Sequence, residues 1–232
     1  MRRFAVIGLG MFGKKMAIAL AMSGAEVIAV DKNREEVDLI RDQVSLAVRL
    51  DSTDEDALKA QGIDQVDVAV VSIGQGTGRG FESAVLTVVN LKQIGVKQIY
   101  ARSEDLIAGQ VFAKVGATEV IYPEIESAQR WAYKLIAPQI SEKIDFAPGY
   151  SLASVKAPPS FDQNTVMDLQ LRQKYNVNLI SIRRAEHGWA NKAEKGETGD
   201  IISVPLPNTV IYEGDILMIT GSDDDLAKLP QE

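Results

Sequence analysis

The chain has no cysteine and a single histidine, His187. The first absence excludes disulfides, thiolate-held metal and a catalytic thiol, and it fits a reducing compartment. The second removes the commonest acid–base group. His187 stands in the polar stretch "AEHGWANKAEKGETGD" and reads as an ordinary solvated residue. Long hydrophobic runs are missing too. Glycines and lysines interrupt the apolar N-terminus, which argues against a signal peptide, and no run approaches the ~20 residues that span a bilayer. Positive charge is in deficit: 25 Lys and Arg against 32 Asp and Glu leave a net −7. That balance disfavours nonspecific attraction to nucleic acid or to an anionic membrane. A Tyr-x-x-x-Lys pair, a Walker loop, a metal-ligand cluster and a Ser-His-Asp set are all lacking, so the sequence offers binding without evident turnover.

What is present is ample for a buried core: 232 residues, 46% hydrophobic. Up to about residue 125, short apolar runs alternate with amphipathic segments. "RFAVIG", "AEVIAVD", "SLAVRLD", "VDVAVVSIG", "KQIYARS" and "TEVIYPE" are continuously apolar, as strands covered on both faces require. Between them "KKMAIALAMSG", "REEVDLIRD", "EDALKAQGI", "ESAVLTVVNLKQIG" and "DLIAGQVFAKVG" carry helical spacing, several closing on glycine. The alternation predicts an α/β fold over residues 1–125, a Rossmann-like doubly wound parallel sheet of about six strands. Residues 126–148 read as connecting helices broken or kinked at Pro138. Trp131, Leu135 and Phe146 on this segment either pack on the chain's own core or cross to a second subunit. Residues 149–232 read as a small α+β domain, too small to be secure without a partner surface. In it "YSLASVKAP" and "VNLISIRR" are strands, "NTVMDLQLRQKY" is a helix capped by Asn164 or Thr165 with Met167, Leu171 and Tyr175 on one face, and "TVIYEGDILMITG" is a hairpin about Glu213-Gly214-Asp215.

The chemistry concentrates in "VIGLGMFG". A lone GxGxxG is weak evidence, but here a strand precedes it, a helix follows and an acid, Asp31, ends the next strand. Gly8 permits the tight turn, Gly10 lets the backbone approach phosphates, and Gly13 lets the helix pack on the strand. Met11 and Phe12 complete the loop, whose free N–H groups at the helix start face the phosphates. Asp31, with Lys32 beside it, is expected to accept from the ribose hydroxyls of an adenine nucleotide, and its charge repels a 2′-phosphate, which disfavours NADP. Two further strand ends, Asp51-Ser52-Thr53 and Ser72-Ile73-Gly74, point to the same crevice. An NAD-dependent oxidoreductase acting on a small substrate is the alternative, weakened by the missing acid–base residues.

Together, "VIGLGMFG", "VIAVDKNRE", "RLDSTDEDALKAQGI", "ESAVLTVVNLKQIGVKQIYARS", "VGATEVIYPEIESAQ", "LRQKYNVNLISIRR" and "YEGDILMITG" resemble the RCK (KTN) regulators. These are cytosolic subunits of Trk/Ktr-type potassium uptake systems and gating domains of some potassium channels. The resemblance covers nearly the whole chain. It implies an adenine nucleotide (ATP, ADP, NAD or NADH) bound to the N-terminal domain, with Arg102 and Glu124 added to the site, and no nucleic-acid partner. It implies dimers assembled into an octameric ring, docked on the cytoplasmic face of a membrane potassium-translocating subunit. Glu124 is similar to a position that holds a divalent cation in some members. Some relatives bind cyclic di-AMP between two C-terminal domains, which would place Asn176, Asn178 and Arg183 at that ligand; a free-standing sensor of such a messenger is a further reading. Two departures stand out. Met11 occupies a position where some ATP-responsive members carry arginine, and "SIGQGTGRGFES" is longer than the family's usual link, offering Arg79 as a substitute cation.

Overall fold

A computed structural model describes residues 1–74, 79–137, 140–184 and 201–230, with the Arg79 side chain outside the description. The chain divides into two compact units, Met1–Glu126 and Ser127–Glu232. The first follows strict alternation: β1 (Arg3–Ile7), α1 (Met11–Met22), β2 (Glu26–Asp31), α2 (Arg34–Ile40), β3 (Leu46–Arg49) and α3 (Glu55–Ala60). Next come β4 (Val68–Val71), α4 (Arg79–Gln93), β5 (Gln98–Arg102), α5 (Leu106–Val115), β6 (Glu119–Ile121) and α6 (Pro123–Ile136), whose first turn belongs to this unit. The strands form one parallel sheet in the order β3-β2-β1-β4-β5-β6.

The continuous apolar runs follow from two covered faces. Ala5 and Ile7 of β1 join Ile28, Val30, Ala69 and Val71 beneath Leu58, Val88, Leu91 and Phe112. Val6, one residue out of phase, joins Val27, Ala29, Val68 and Val70 against Ala17, Val37 and Ile40 on the opposite face. The order reverses at β1, which pairs with β2 on one side and β4 on the other. Such a reversal opens a crevice beyond the carboxyl ends of those strands.

The second unit contains β7 (Ile140–Ala147), β8 (Tyr150–Lys156), β9 (Asn164–Thr165), α7 (Val166–Leu169), α8 (Leu171–Tyr175) and β10 (Asn178–Arg183). After these come β11 (Ile201–Ile202), β12 (Val210–Ile211), β13 (Ile216–Ser222) and a last helix, α9 (Asp223–Ala227). Five strands make an antiparallel sheet in the order β11-β10-β13-β8-β7, and β12 pairs with β9.

Three sequence expectations are corrected here. The connecting segment is helical only to Ile136, and Ile140–Ala147 is a strand. Ala137 precedes a proline, which disfavours helix there, and Gly149 at φ +74° turns β7 back onto β8. The capped helix is two short ones. Thr165 forms a capping box with Asp168, but Gln170 breaks the helix at φ +48° and leaves Met167 64% exposed while Leu171 is buried. The closing "hairpin" is no hairpin, because β12 and β13 belong to different sheets. Buried Asp215 turns that corner, accepting from the Tyr212 amide at 3.0 Å and from Arg184 at 2.5 Å.

Candidate nucleotide site

Beyond the ends of β1, β2, β3 and β4 lies a cleft of about 300 Å³. Ile7, Val30 and Leu50 give it an apolar wall. Gly8, Gly10, Asp31, Lys32, Asp51, Ser52, Ser72, Ile73 and Gly74 supply most of the rest of its lining. Nine of the sequence-derived candidates therefore meet in one place.

The three loop glycines are there for different reasons. Gly8 has φ +94°, and a Cβ on it would sit 2.7 Å from the Ser72 carbonyl carbon. A Cβ on Gly13 would lie 1.9 Å from the Gly8 oxygen, so α1 packs against the loop backbone. Around Gly10 nothing stands within 4 Å of the added Cβ. The chain's own packing demands glycine at 8 and 13 and makes no such demand at 10.

Gly10 is also the N-cap of α1, offers no side-chain cap, and is followed by a first turn free of acidic residues. The helix's own residues thus leave its first N–H groups uncapped beside the cleft. Beneath the loop, the Ser72 hydroxyl is buried and has no hydrogen-bond partner among the described residues. Open space at Gly10 and an uncapped helix start together fit an anionic nucleotide phosphate.

Asp31 does more than the sequence suggests. Its Oδ2 accepts from the Leu9 amide at 2.6 Å and its Oδ1 from the Asn33 amide at 2.8 Å, which fastens the glycine loop to the end of β2. A carboxylate has about four acceptor positions, so capacity for ligand hydroxyls remains. Asp51 accepts from the Thr53 hydroxyl at 2.7 Å and from the Thr53 amide at 3.0 Å. Those bonds, the hydroxyl first, hold its carboxyl below the usual carboxylate range, with nearby Lys32 adding to the effect.

Other candidates stand apart. Met11 is 85% exposed and lines a separate groove with Lys14, Ile18 and Leu39. Phe12, Gly13 and Thr53 do not line the cleft. Arg102 donates to Glu124 at 2.5 Å and approaches Glu104 at 3.5 Å. The Arg102 guanidinium lowers the Glu124 carboxyl below its ordinary range. Among the described residues no group of three or more His, Asp or Glu gathers to hold a metal. Residues 75–78, the Arg79 side chain and His187 lie outside the described residues.

In the second unit, Asn176 donates to Asp225 at 2.8 Å. Asn178 and Arg183 stand at opposite ends of β10, so one chain does not bring these three residues together. The sequence reading missed Gly80 and Ser83, which line the cleft from α4. Their signal was position: both belong to the glycine-rich stretch "SIGQGTGRGFES" that follows β4.

A family model of the TrkA-N domain matches residues 4–123. The chain belongs to the TrkA-N family. Its second unit matches the TrkA-C domain over residues 151–230. This TrkA-N chain is 32% identical to the Ktr system potassium uptake protein C of Bacillus subtilis (strain 168) over 227 residues, covering 98% of itself and 95% of that protein. It is 27% identical to the Ktr system potassium uptake protein A of Vibrio alginolyticus, covering 97% of itself and 95% of that protein. The crystal structure of the GsuK RCK domain superposes on 98% of the chain with a TM-score of 0.60 at 15% identity. The GsuK channel bound to NAD does so on 97% with 0.53 at 19%. The TrkA-N chain spans less than half the length of those solved chains, 46% and 37%, and at such identities they share its fold. The Ktr relatives are named as potassium uptake proteins and none as an oxidoreductase. Among the described residues no helix is long and apolar enough to cross a membrane.

Proposed function

We propose that this chain is the regulatory subunit of a potassium uptake system, binding an adenine nucleotide as a signal rather than a reagent. The uptake role is supported by the Ktr relatives, which match over nearly their whole length. The nucleotide role rests on one observation above the others: Gly10 leaves open space at an uncapped helix start, beside a carboxylate that ends β2. ATP, ADP, NAD and NADH share the adenosine and phosphates that this cleft would hold, and Asp31 opposes a 2′-phosphate.

Regulation then follows from linkage. A nucleotide biases an assembly only by its differential affinity for two shapes, and a tenfold preference supplies about 1.4 kcal/mol per site. Several sites in one ring multiply that bias. The partner is a Trk/Ktr-type membrane subunit, and the chain sits on its cytoplasmic face. Self-assembly, as dimers building an octameric ring, is supported by Trp131 and Leu135, one helical turn apart on α6 and 53% and 76% exposed. A divalent cation at Glu124, and cyclic di-AMP at Asn176, Asn178 and Arg183, would each be shared between copies.

Calorimetric titration of the whole chain with ATP, ADP, NAD and NADH tests this reading. Binding of at least one is expected, abolished in Gly10→Ala. A chain that binds none of the four is not a nucleotide-responsive subunit. Co-purification with a multi-spanning potassium-translocating protein encoded beside it tests the partner.

A further inference from the structure

The loop after β3 carries two polar residues that line the cleft, Asp51 and Ser52, yet it has left the sheet. What holds it comes from α4. Asn90 donates through Nδ2 to the carbonyl of Thr53 at 2.9 Å and to that of Ser52 at 3.3 Å. One turn earlier, Thr87 contacts Ser52, Oγ1 to Oγ, at 2.7 Å, with both residues buried. Ser83, Thr87 and Asn90 stand at i, i+4 and i+7, so they form one polar stripe along the helix.

The protons on this stripe can be placed. A threonine hydroxyl carries one proton, and Thr87 gives it to the carbonyl of Ser83 at 2.8 Å. The Thr87–Ser52 contact is therefore donated by Ser52. With its proton spent, Ser52 has only lone pairs left, and the Asp51 carboxylate beside it is likewise an acceptor. The rim formed by Asp51 and Ser52 reads hydrogen-bond donors: the hydroxyls of a ribose or the amine of a base.

Resting on the nucleotide reading above, we propose that Asn90 and Thr87, which do not line the cleft, are positioning residues for the ligand. Asn90 fixes the loop through its two carbonyls, and Thr87 fixes the direction of the Ser52 hydroxyl. The stripe makes the rim an acceptor surface before any ligand arrives.

Titration of the full chain with ADP, alongside ligand-free thermal melts, tests this. First, wild type must bind ADP or, failing that, another of ATP, NAD and NADH, which then replaces ADP in every arm; a chain that binds none of the four ends the nucleotide reading and this inference with it. Given wild-type binding, Asn90→Ala is expected to weaken ADP about tenfold, the scale of two part-buried carbonyls losing their donor. Asn90→Asp, isosteric but lacking N–H, is expected to weaken it at least as much, and Asn90→Gln to recover part of the loss. Thr87→Val is expected to weaken ADP severalfold. In an Asp51→Ala/Ser52→Ala background the Asn90→Ala effect should shrink to within twofold, because the groups being positioned are gone. Undiminished loss in that background overturns the inference, as does unchanged ADP affinity in Asn90→Ala. An Asn90→Ala chain unfolded at 25 °C also overturns it, since the stripe would then serve the fold alone.

Discussion

Gly8, Gly10 and Gly13 are identical in sequence but serve three different physical requirements. A methyl at Gly13 would meet the Gly8 oxygen at 1.9 Å, and neither partner is a flexible side chain. Gly13→Ala is therefore expected to cost roughly 2–4 kcal/mol, read as a lower melting temperature of the ligand-free chain. Gly10→Ala meets nothing and should melt within about 0.5 kcal/mol of wild type while losing nucleotide affinity. Equal destabilisation by both would show that Gly10 serves the fold. The loop and its acid were legible from spacing alone. That Asp31 also anchors the Leu9 amide was not, because the bond joins residues 22 apart. Met11 shows the limit from the other side. Its position in the loop was readable, but whether its side chain faced the cleft depended on the direction in which α1 leaves Gly10.

Elements divide between those specified locally and those decided by packing. The six alternating strands and their helices were legible because each carries its own periodicity and three of the helices carry a side-chain cap. Asn33, Asp54 and Asp105 accept from the first turns of α2, α3 and α5. The segment after Ile136 was misread as helix because Ile140–Ala147 finds its partner only across the turn at Gly149. On α6, Trp131 and Leu135 remain exposed in the single chain. The double change Trp131→Glu and Leu135→Glu is expected to shift the chain to a smaller species in sedimentation velocity; an unchanged coefficient would place the subunit contact elsewhere.

The last helix makes a pH prediction. Hydrogen bonds from Lys228, Ser222 and Asn176 hold the Asp225 carboxyl well below the usual carboxylate range. A group depressed in the folded state contributes stability that is present above its unfolded pKa and lost as pH falls through the lowered value. Asp225→Asn should thus destabilise the second unit at neutral pH and flatten its acid-side loss. A melting-temperature profile across pH 2 to 7 checks both signs.

At the scale of the molecule, two units with separate cores should unfold in separable steps. A ligand confined to the first unit stabilises that unit, by about 2.7 kcal/mol at a hundred times its dissociation constant. Scanning calorimetry with saturating ADP is expected to raise one transition and leave the other in place. Movement of the second-unit transition alone would put the nucleotide elsewhere.

The sequence by itself determined the kind of fold, since period, caps and glycines act within a few residues of where they stand. It determined the loop chemistry for the same reason. Tertiary structure alone decided what depends on distant neighbours. It set the partner of β7, separated β12 from β13, and turned Met11 out of the cleft. It also brought Asn90 of α4 onto carbonyls 37 and 38 residues earlier in the chain. Hydrogen bonds and close contacts are short-ranged in space, and nothing in local sequence encodes which remote residue will arrive within three ångströms.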